Sequence, residues 1–424
     1  MQKAEITRIA GTRGYDLTAG GDITPPLQNT LLLNVGEGLC PLPKNNIMGK
    51  VVFAECRTYS PAEVLAAAQK IFEALGAHLL FRRTEKVLIK PNFLLPSGDE
   101  TAVTTHSQVL LALCRLLLDL GCRVSIGESP GMGTLAGCIA RKGLGEPLKK
   151  MGVPVVEFTR PEPVFLPEGR TVKSVPAAAE LRDFDAVVSA AKLKTHCQFY
   201  FTGCVKNLYG CLPGLLKPEH HLRFTETERL SRFILDVHDA VKPRLGFMDA
   251  VIGMEGDGPS SRGIAKPAGF LAASTDCAGL DIEVMKAVSL SPAQAPYLQE
   301  RLVRPGAEVI KIGRIEEVIF CPPSRMEPVL STIPFPGILK NIVKYLVVPA
   351  PVFSAPPLCR LCGNCQKICP VQPKAAVIKK GRVRFRRRRC ISCFCCFEMC
   401  PHQAIRLSRP LLTRLWRRIK VPSL

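Results

Sequence analysis

The chain has 424 residues, of which 47% are hydrophobic and 22% are charged, so it can bury a sizeable core in one or two domains. Its apolar runs, such as 110–120 and 345–351, fall short of the ~20 residues of a membrane-spanning helix, and its N-terminus does not read as a secretory signal. We therefore expect a cytoplasmic protein. Of the net charge of +21, residues 359–424 carry +16, because they contain 17 Lys and Arg and one acidic residue, Glu398.

Residues 1–47 show no sustained helical or strand periodicity, and we expect a poorly ordered N-terminal extension, with Met48 as an alternative start. Residues 48–321 alternate apolar strands with amphipathic helices. Ser60 and Pro61 predict the start of the first helix, and Gly76 its end. Further helices are predicted from the cap Thr105 to Leu120, over 134–151 with a break between Gly143 and Gly145, over 218–241 and over 276–289. Strands are predicted over 86–89, 122–126, 153–158, 186–188, 245–248 and 269–273.

This alternation predicts an α/β fold, with a mostly parallel sheet and helices on both faces. Ligands of open α/β sheets bind where strands end, and charged residues follow several of the predicted strands. The cations are Lys90, Lys192, Lys194, His196 and Lys206, and the acids are Glu128, Asp249, Glu255 and Asp257. If these groups converge, they predict a site for an anionic substrate, with a lysine or His196 as the acid–base group.

Two further features of this region bear on the site. The loop 127–134 precedes a helix and can offer backbone N–H groups to an anion, but it lacks the spacing of a nucleoside triphosphate site. Glycines at strand ends also serve tight turns, and the lysines can be solvated or paired with the acids. Four histidines are interpreted as surface or capping residues: His106, His220, His221 and His238. Three cysteines lie close to the candidate site in the sequence: Cys197, Cys204 and Cys211. A catalytic thiol or a third cluster at these positions is an alternative hypothesis.

Four motifs in this region together resemble the prokaryotic family known as domain of unknown function 362. They are Lys-Pro-Asn at 90–92, Lys-Leu-Lys-Thr-His at 192–196, Lys-Asn-Leu-Tyr-Gly at 206–210 and Gly-Met-Glu-Gly-Asp-Gly-Pro at 253–259. The resemblance covers about residues 50–321. It implies an architecture often fused to a two-cluster ferredoxin, and it implies no particular reaction.

Residues 322–357 contain nine prolines and predict a linker, within which 337–348 can form a short amphipathic helix. Beyond it, nine of the 19 cysteines fall between Cys359 and Cys400. Clustered cysteines in a cytosolic chain of this size indicate a metal site rather than disulfides.

The cysteines form the pattern C-x2-C-x2-C-x3-C-P twice. In this pattern three thiolates of one motif and the last cysteine of the other hold each [4Fe-4S] cluster. The first cluster is assigned to Cys359, Cys362, Cys365 and Cys400, and the second to Cys390, Cys393, Cys396 and Cys369. Cys395 is interpreted as a non-ligand. Residues 358–407 thus resemble a bacterial two-cluster ferredoxin, a small α+β domain. Zinc is the alternative, but the third cysteine and the Cys-Pro of each motif have no role in a zinc site.

The cysteine module differs from the usual acidic ferredoxins because it is strongly basic between its motifs, at 379–389, and in the amphipathic tail, at 408–424. This charge predicts an acidic redox partner, with an anionic membrane surface or nucleic acid as alternatives. A membrane contact would place the protein at the inner face of the membrane. Three functions follow: an iron–sulfur oxidoreductase, a non-catalytic electron-transfer or assembly protein, or a nucleic-acid-binding protein with structural clusters.

Overall fold

The computed structural model describes residues 49–260, 262–324, 350–353 and 358–408, which all belong to one contact unit, Ile47–Leu424. The predicted N-terminal extension, the helix at 337–348 and the basic tail therefore lie outside the described residues, apart from Ser408. Within the described ranges no helix is long and apolar enough to cross a membrane.

The α/β region contains eleven strands and ten α-helices within the described residues. The strands are β1 (Lys50–Glu55), β2 (Lys86–Pro91), β3 (Arg123–Glu128), β4 (Val155–Glu157), β5 (Pro161–Phe165), β6 (Ser174–Ala178), β7 (Ala186–His196), β8 (Tyr200–Thr202), β9 (Leu245–Gly256), β10 (Gly263–Ser274) and β11 (Glu308–Ile312). The helices are α1 (Pro61–Leu75), α2 (Ala77–Leu80), α3 (Ser107–Asp119), α4 (Leu135–Arg141), α5 (Gly145–Lys150), α6 (Cys204–Asn207), α7 (Leu216–Arg223), α8 (Thr227–Val241), α9 (Cys277–Ala287) and α10 (Gln299–Leu302).

Nine of these strands form one sheet in the order β11-β1-β10-β9-β7-β2-β3-β4, with β8 paired to β7. The pairs from β9 to β4 along this order are parallel, as is β1 with β11, whereas β10 is antiparallel to both of its neighbours. Two apolar cores lie on opposite faces of the sheet, one against α1, α3, α4 and α5 and the other against α6, α8 and α9. The predicted mostly parallel α/β sheet with helices on both faces is confirmed.

Several helix boundaries follow their predicted caps. Ser60 accepts the N–H of Glu63 and opens α1, and Gly76 ends it in a left-handed conformation with φ 64°. The predicted break between Gly143 and Gly145 separates α4 from α5. His106, not Thr105, caps α3, since its ring accepts the N–H of Gln108.

Several predictions of element length were wrong, including the strand expected over 269–273, which begins at Gly263. The helix expected over 218–241 is two helices, because the chain leaves the helical conformation between Phe224 and Glu226. The strands expected over 186–188 and 245–248 continue to His196 and Gly256, so the lysine motif and the first four residues of the glycine motif belong to strands rather than to loops. Buried polar side chains hid this continuation from a periodicity that counts only apolar residues.

The cysteine module is built from two antiparallel strand pairs and two short helices. The strand pairs are β12 (Pro351–Phe353) with β15 (Ile405–Leu407), and β13 (Ala376–Lys379) with β14 (Arg382–Phe385). The helices, Asn364–Lys367 and Cys395–Glu398, each lie within one of the two cysteine motifs. This is the small α+β unit that the sequence predicts, except that β12 lies in the predicted linker and pairs with β15 of the module.

Candidate functional site

The fold gathers the eight cysteines assigned as ligands into two groups of four. One cavity is lined by all four thiols assigned to the first cluster, Cys359, Cys362, Cys365 and Cys400. A second cavity is lined by the other four, Cys369, Cys390, Cys393 and Cys396. Each set therefore combines three cysteines of one motif with the last cysteine of the other motif.

The rest of both cavity walls is mainly apolar. Val383 and Ile405 line the first cavity, and Val371 and Phe385 line the second. Four thiols in an apolar shell are the donor set that holds a [4Fe-4S] cluster. Among the described residues, no three His, Cys, Asp or Glu side chains meet closely enough to hold a single metal ion.

The module docks directly on the α/β region. The guanidinium of Arg262 lies 4.7 Å from the ring of Phe397 and donates to the carbonyl oxygen of Gln403 at 3.0 Å. Ser260 donates to the carbonyl oxygen of Glu398. The close approach of the module to the α/β region requires a glycine at position 131. A Cβ atom there would lie 2.8 Å from the Cε atom of Met399. Polar and apolar contacts thus join the two parts.

A cavity of about 110 Å³ lies between the two parts. The α/β region contributes four lysines to its wall, together with histidine, asparagine and hydroxyl side chains. The module contributes residues that neighbour the cysteine ligands. The lining side chains with ionisable or amide groups are Lys90, Asn92, Glu128, Lys194, His196, Lys206, Asn207, Tyr209, Lys217, His221, Cys395 and Glu398.

Lys90 and Glu128 form a buried ion pair in this wall. The amine of Lys90 lies 2.5 Å from Oε2 of Glu128 and also donates to the Asn207 side chain at 3.2 Å. The Glu128 carboxylate accepts the backbone N–H groups of Phe93 and Ser129 as well. Both charged groups are therefore paired within the protein and do not need a ligand as a partner.

Lys194 has a different environment. Its amine donates to the Asn92 side-chain oxygen at 2.8 Å and to the Val103 carbonyl at 2.7 Å, and both partners are neutral. Burial, followed by the charges of Lys206 and Lys192, holds the pKa of Lys194 well below its usual range. An anion bound nearby would favour the protonated amine.

His196 faces the module across the cavity. Its Nδ1 atom accepts the backbone N–H of Gln198 at 3.2 Å, so its proton lies on Nε2. Nε2 is 3.7 Å from Oε1 of Glu398, which is beyond hydrogen-bond distance. Burial and the neighbouring Lys206 and Lys194 hold the pKa of His196 well below its usual range, so the ring is neutral.

Two further lysines of the wall are not hydrogen-bonded to a carboxylate side chain. The amine of Lys206 lies 5.0 Å from the ring centroid of Phe199, and burial lowers its pKa to about 8. Lys217 donates to the carbonyl oxygens of Ser129 and Leu212, and burial likewise lowers its pKa to about 8. Both amines are mainly protonated at neutral pH.

Three buried polar atoms on cavity-lining residues find no hydrogen-bond partner in the described parts of the chain. They are Oγ1 of Thr202, Nδ1 of His221 and Oε1 of Glu398. Buried polar groups are rarely left without a partner. These atoms therefore favour a polar occupant of the cavity over an apolar one.

The other predicted site residues lie away from this cavity. Lys192 pairs with Asp249 at 2.9 Å, and the Tyr59 hydroxyl donates to the same carboxylate at 2.8 Å. Glu255 pairs with Lys266 at 3.0 Å and accepts the N–H of Cys321. Asp257 accepts the N–H of Ser324. The structure thus brings together Lys90, Glu128, Lys194, His196 and Lys206, and it places Lys192, Asp249, Glu255 and Asp257 elsewhere.

Residues not singled out from the sequence complete the cavity. Lys217 and His221 are four residues apart, so they share one face of α7, and that spacing is a signal that was available. The sequence instead suggests a surface or capping role for His221. The sequence assigns no individual role to Thr202 or Glu398. The three cysteines considered above, Cys197, Cys204 and Cys211, are buried, and burial raises the pKa of each thiol.

Comparisons with known proteins agree with both parts of this architecture. A family model described as "Domain of unknown function (DUF362)" matches residues 87–286. The thylakoid-associated protein sll1697 of Synechocystis sp. is 30% identical over 250 residues, which are 58% of this chain and 77% of the relative. The chain belongs to the DUF362 family.

A second model, "4Fe-4S dicluster domain", matches residues 352–401, beyond the DUF362 match. The cysteine module is therefore an iron–sulfur domain of the [4Fe-4S] type, and the predicted fusion of a DUF362 domain to such a module is confirmed. Among solved structures, the lactate racemase apoprotein from Thermoanaerobacterium thermosaccharolyticum aligns with a TM-score of 0.34 and 14% identity. That alignment covers 53% of this chain and 55% of the racemase chain.

Proposed function

We propose that the chain is an oxidoreductase whose module binds two [4Fe-4S] clusters and exchanges electrons with a substrate held in the shared cavity. The observation that carries this proposal is the composition of the cavity wall. Ile368 and Cys395 each precede an assigned ligand of the second cluster, and they face the same space as Lys194 and His196. Clusters of this type supply electrons, and the lysines and His196 supply binding and proton donors.

Cluster content tests the first half of the proposal. Anaerobically reconstituted protein should contain about eight iron atoms per chain and bleach near roughly 400 nm with dithionite, as expected for two cubane clusters. Stoichiometric zinc without this absorbance would refute it.

The cavity is tested by reoxidation of the dithionite-reduced protein with a panel of small oxidants. We expect at least one compound to reoxidise the wild type quickly and Lys194→Met slowly, at equal iron content. Lys311→Met is the matched control, because Lys311 is exposed on β11. Equal rates in all three proteins would leave a non-catalytic electron carrier as the better description.

The outer face of the β13–β14 hairpin is proposed as the docking surface for an acidic redox protein. On β14, Val383 and Phe385 line the two cluster cavities, whereas Arg382 and Arg384 point to solvent. Seven basic residues here are exposed: Lys379, Lys380, Arg382, Arg384, Arg386, Arg388 and Arg389. A partner on this face would lie close to both clusters, and complementary charge speeds such encounters.

Charge reversal tests this surface. The pair Arg382→Glu and Arg384→Glu should slow electron exchange with an acidic ferredoxin, and the effect should shrink at high salt. Arg304→Glu, an exposed change in the α/β region, should not alter the rate. If Arg304→Glu slowed electron exchange as much as the double change, the effect would come from the net charge of the protein and not from docking at the hairpin.

The name of the relative, thylakoid-associated, favours an anionic membrane as the second candidate for this basic face. Co-sedimentation with vesicles containing anionic lipid distinguishes the two. Binding that survives truncation before residue 409 would assign the membrane contact to the hairpin, and loss on truncation would assign it to the tail. A gel shift with nucleic acid, run beside it, tests the least favoured partner.

A further inference from the structure

We propose that the shared cavity binds a small oxyanion that also carries a hydrogen-bond donor, such as a hydroxycarboxylate or a protonated phosphate. This inference rests on the proposed function, because it names the class of substrate for the same cavity. It follows from three features of the wall: its positive groups, its unpartnered polar atoms and its size.

The positive groups lie on the α/β side of the cavity. Of the four lysines in the wall, only Lys90 is bonded to a carboxylate. Lys194 and Lys217 donate to neutral oxygens, and Lys206 lies over the Phe199 ring. Buried lysines that are not bonded to a carboxylate favour an anion, and hydrogen bonds between ammonium and oxyanion are the strong ones.

The unpartnered atoms define the remaining contacts. The hydroxyl of Thr202 is 3% exposed and can donate to the oxyanion. Oε1 of Glu398, in a residue 8% exposed, and Nδ1 of His221 have no donor among the described residues. An oxygen of Glu398 can accept a hydrogen bond whether or not the carboxyl is ionised. Its partner would be a hydroxyl on the ligand, and a simple carboxylate such as acetate lacks one.

The size of the cavity limits the ligand. An apolar cavity of about 150 Å³ holds benzene, and this one measures about 110 Å³. The ligand should therefore have about four to six non-hydrogen atoms. Glycolate and inorganic phosphate both fit this description, so the shared chemistry is an oxyanion with one donor.

The test is calorimetric binding to the anaerobic holoprotein, with glycolate, inorganic phosphate, acetate and ethylene glycol as probes. We expect glycolate or phosphate to bind, acetate to bind about tenfold more weakly, and ethylene glycol not to bind. The relative affinities for glycolate and phosphate decide whether the ligand is a hydroxycarboxylate or a phosphate.

Variants identify the groups responsible. Lys206→Met should weaken binding by about ten- to a hundredfold, as expected for loss of a charged hydrogen bond, and Lys206→Arg should restore most of it. Thr202→Val, nearly equal in shape, should weaken binding by about threefold to tenfold. Lys311→Met should bind like the wild type.

The inference is overturned if neither glycolate nor phosphate binds the wild type, or if both bind Lys206→Met and Thr202→Val unchanged. Iron content and dithionite bleaching, measured on the same samples, report on the proposed function separately. Intact clusters without oxyanion binding would reject only this inference, and absent clusters in the wild type would reject the proposed function itself.

Discussion

Lys192 and Lys194 lie on the same face of β7, yet their amines have opposite kinds of partner. The Lys192 amine is 2.9 Å from the Asp249 carboxylate, and the Lys194 amine is 2.8 Å from the neutral Asn92 side-chain oxygen. Both side chains are 1% exposed. One lysine is therefore neutralised within the fold, and the other faces a cavity that a ligand can enter.

The first prediction compares these two lysines by stability. Lys192→Met leaves Asp249 buried without its counter-ion, and it should lower the free energy of unfolding by about 3–5 kcal/mol. Lys194→Met removes two hydrogen bonds to neutral groups and should cost about 1–2 kcal/mol. Urea denaturation of the two variants measures both values. An equal cost for the two changes would contradict the different roles assigned here.

The second prediction concerns Gly210 in the Lys-Asn-Leu-Tyr-Gly motif. A Cβ atom at this position would lie 2.7 Å from the Lys90 amine and would also meet Glu128. Gly210→Ala should therefore disturb the ion pair and cost about 1–3 kcal/mol, the range for overpacking. Gly145→Ala is the control, because nothing lies within 4 Å of the added atom. It should leave stability unchanged or raise it by up to ~1 kcal/mol, since alanine is the better helix former.

The third prediction separates Cys395 from the assigned ligands. Cys393 lines the second cluster cavity, whereas Cys395 lines the shared cavity. Cys393→Ser should reduce the iron content from about eight to about four atoms per chain, because one of two cubane clusters is lost. Cys395→Ser should retain all of it. Iron and acid-labile sulfide analysis measures the difference, and loss of iron in Cys395→Ser would make that residue a ligand.

The fourth prediction is the pH dependence of oxyanion binding. The pKa of Lys206 is lowered to about 8 by burial, against the opposing charges of Glu398 and Cys395. The amine is thus charged below pH 8, and binding should weaken as the pH rises through about 8. The other titratable groups of the cavity wall are Lys90, Lys194, Lys217, His196, His221, Glu128 and Tyr209.

The lowered pKa of Lys206 has the opposite effect on the stability of the ligand-free protein, which should increase as the pH rises. Between pH 8 and the ordinary pKa of 10.5, the unfolded chain binds more protons at Lys206 than the folded chain does. The free energy of unfolding of the wild type should therefore rise with pH relative to Lys206→Met over this window. Calorimetric titrations and urea denaturation at pH 7 to 9.5 measure the two trends. If the binding and the unfolding free energy of the wild type and of Lys206→Met changed with pH in the same way, Lys206 would not be the titrating group.

The sequence predicted the parts of the site that local patterns encode. Cysteine spacing leads to the crossed ligand sets, because three thiols of one loop cannot complete a cubane alone. Strand ends led to Lys90, Glu128 and Lys194, which meet because parallel strands end at one edge of the sheet. Asp249 and Glu255 follow the same rule but pair with Lys192 and Lys266, and the sequence alone could not show these pairings.

The remainder of the cavity depends on how the module docks. In the sequence Glu398 is distinctive only as the single acid of the basic C-terminal region, and its position opposite His196 comes from contacts between residues about 200 positions apart. Thr202 resembles any buried strand residue. Such residues become site residues only through tertiary structure, and no periodicity or spacing marks them.

The shared wall of the cavity also bears on how the protein matures. Ile368, Cys395, Glu398 and Met399, which close the cavity, are all within two positions of a cysteine ligand. In the proposed holoprotein, the bonds from the cysteines to the clusters would also restrain these four residues. Under the proposed function, ligand binding in this cavity is therefore expected to depend on cluster insertion.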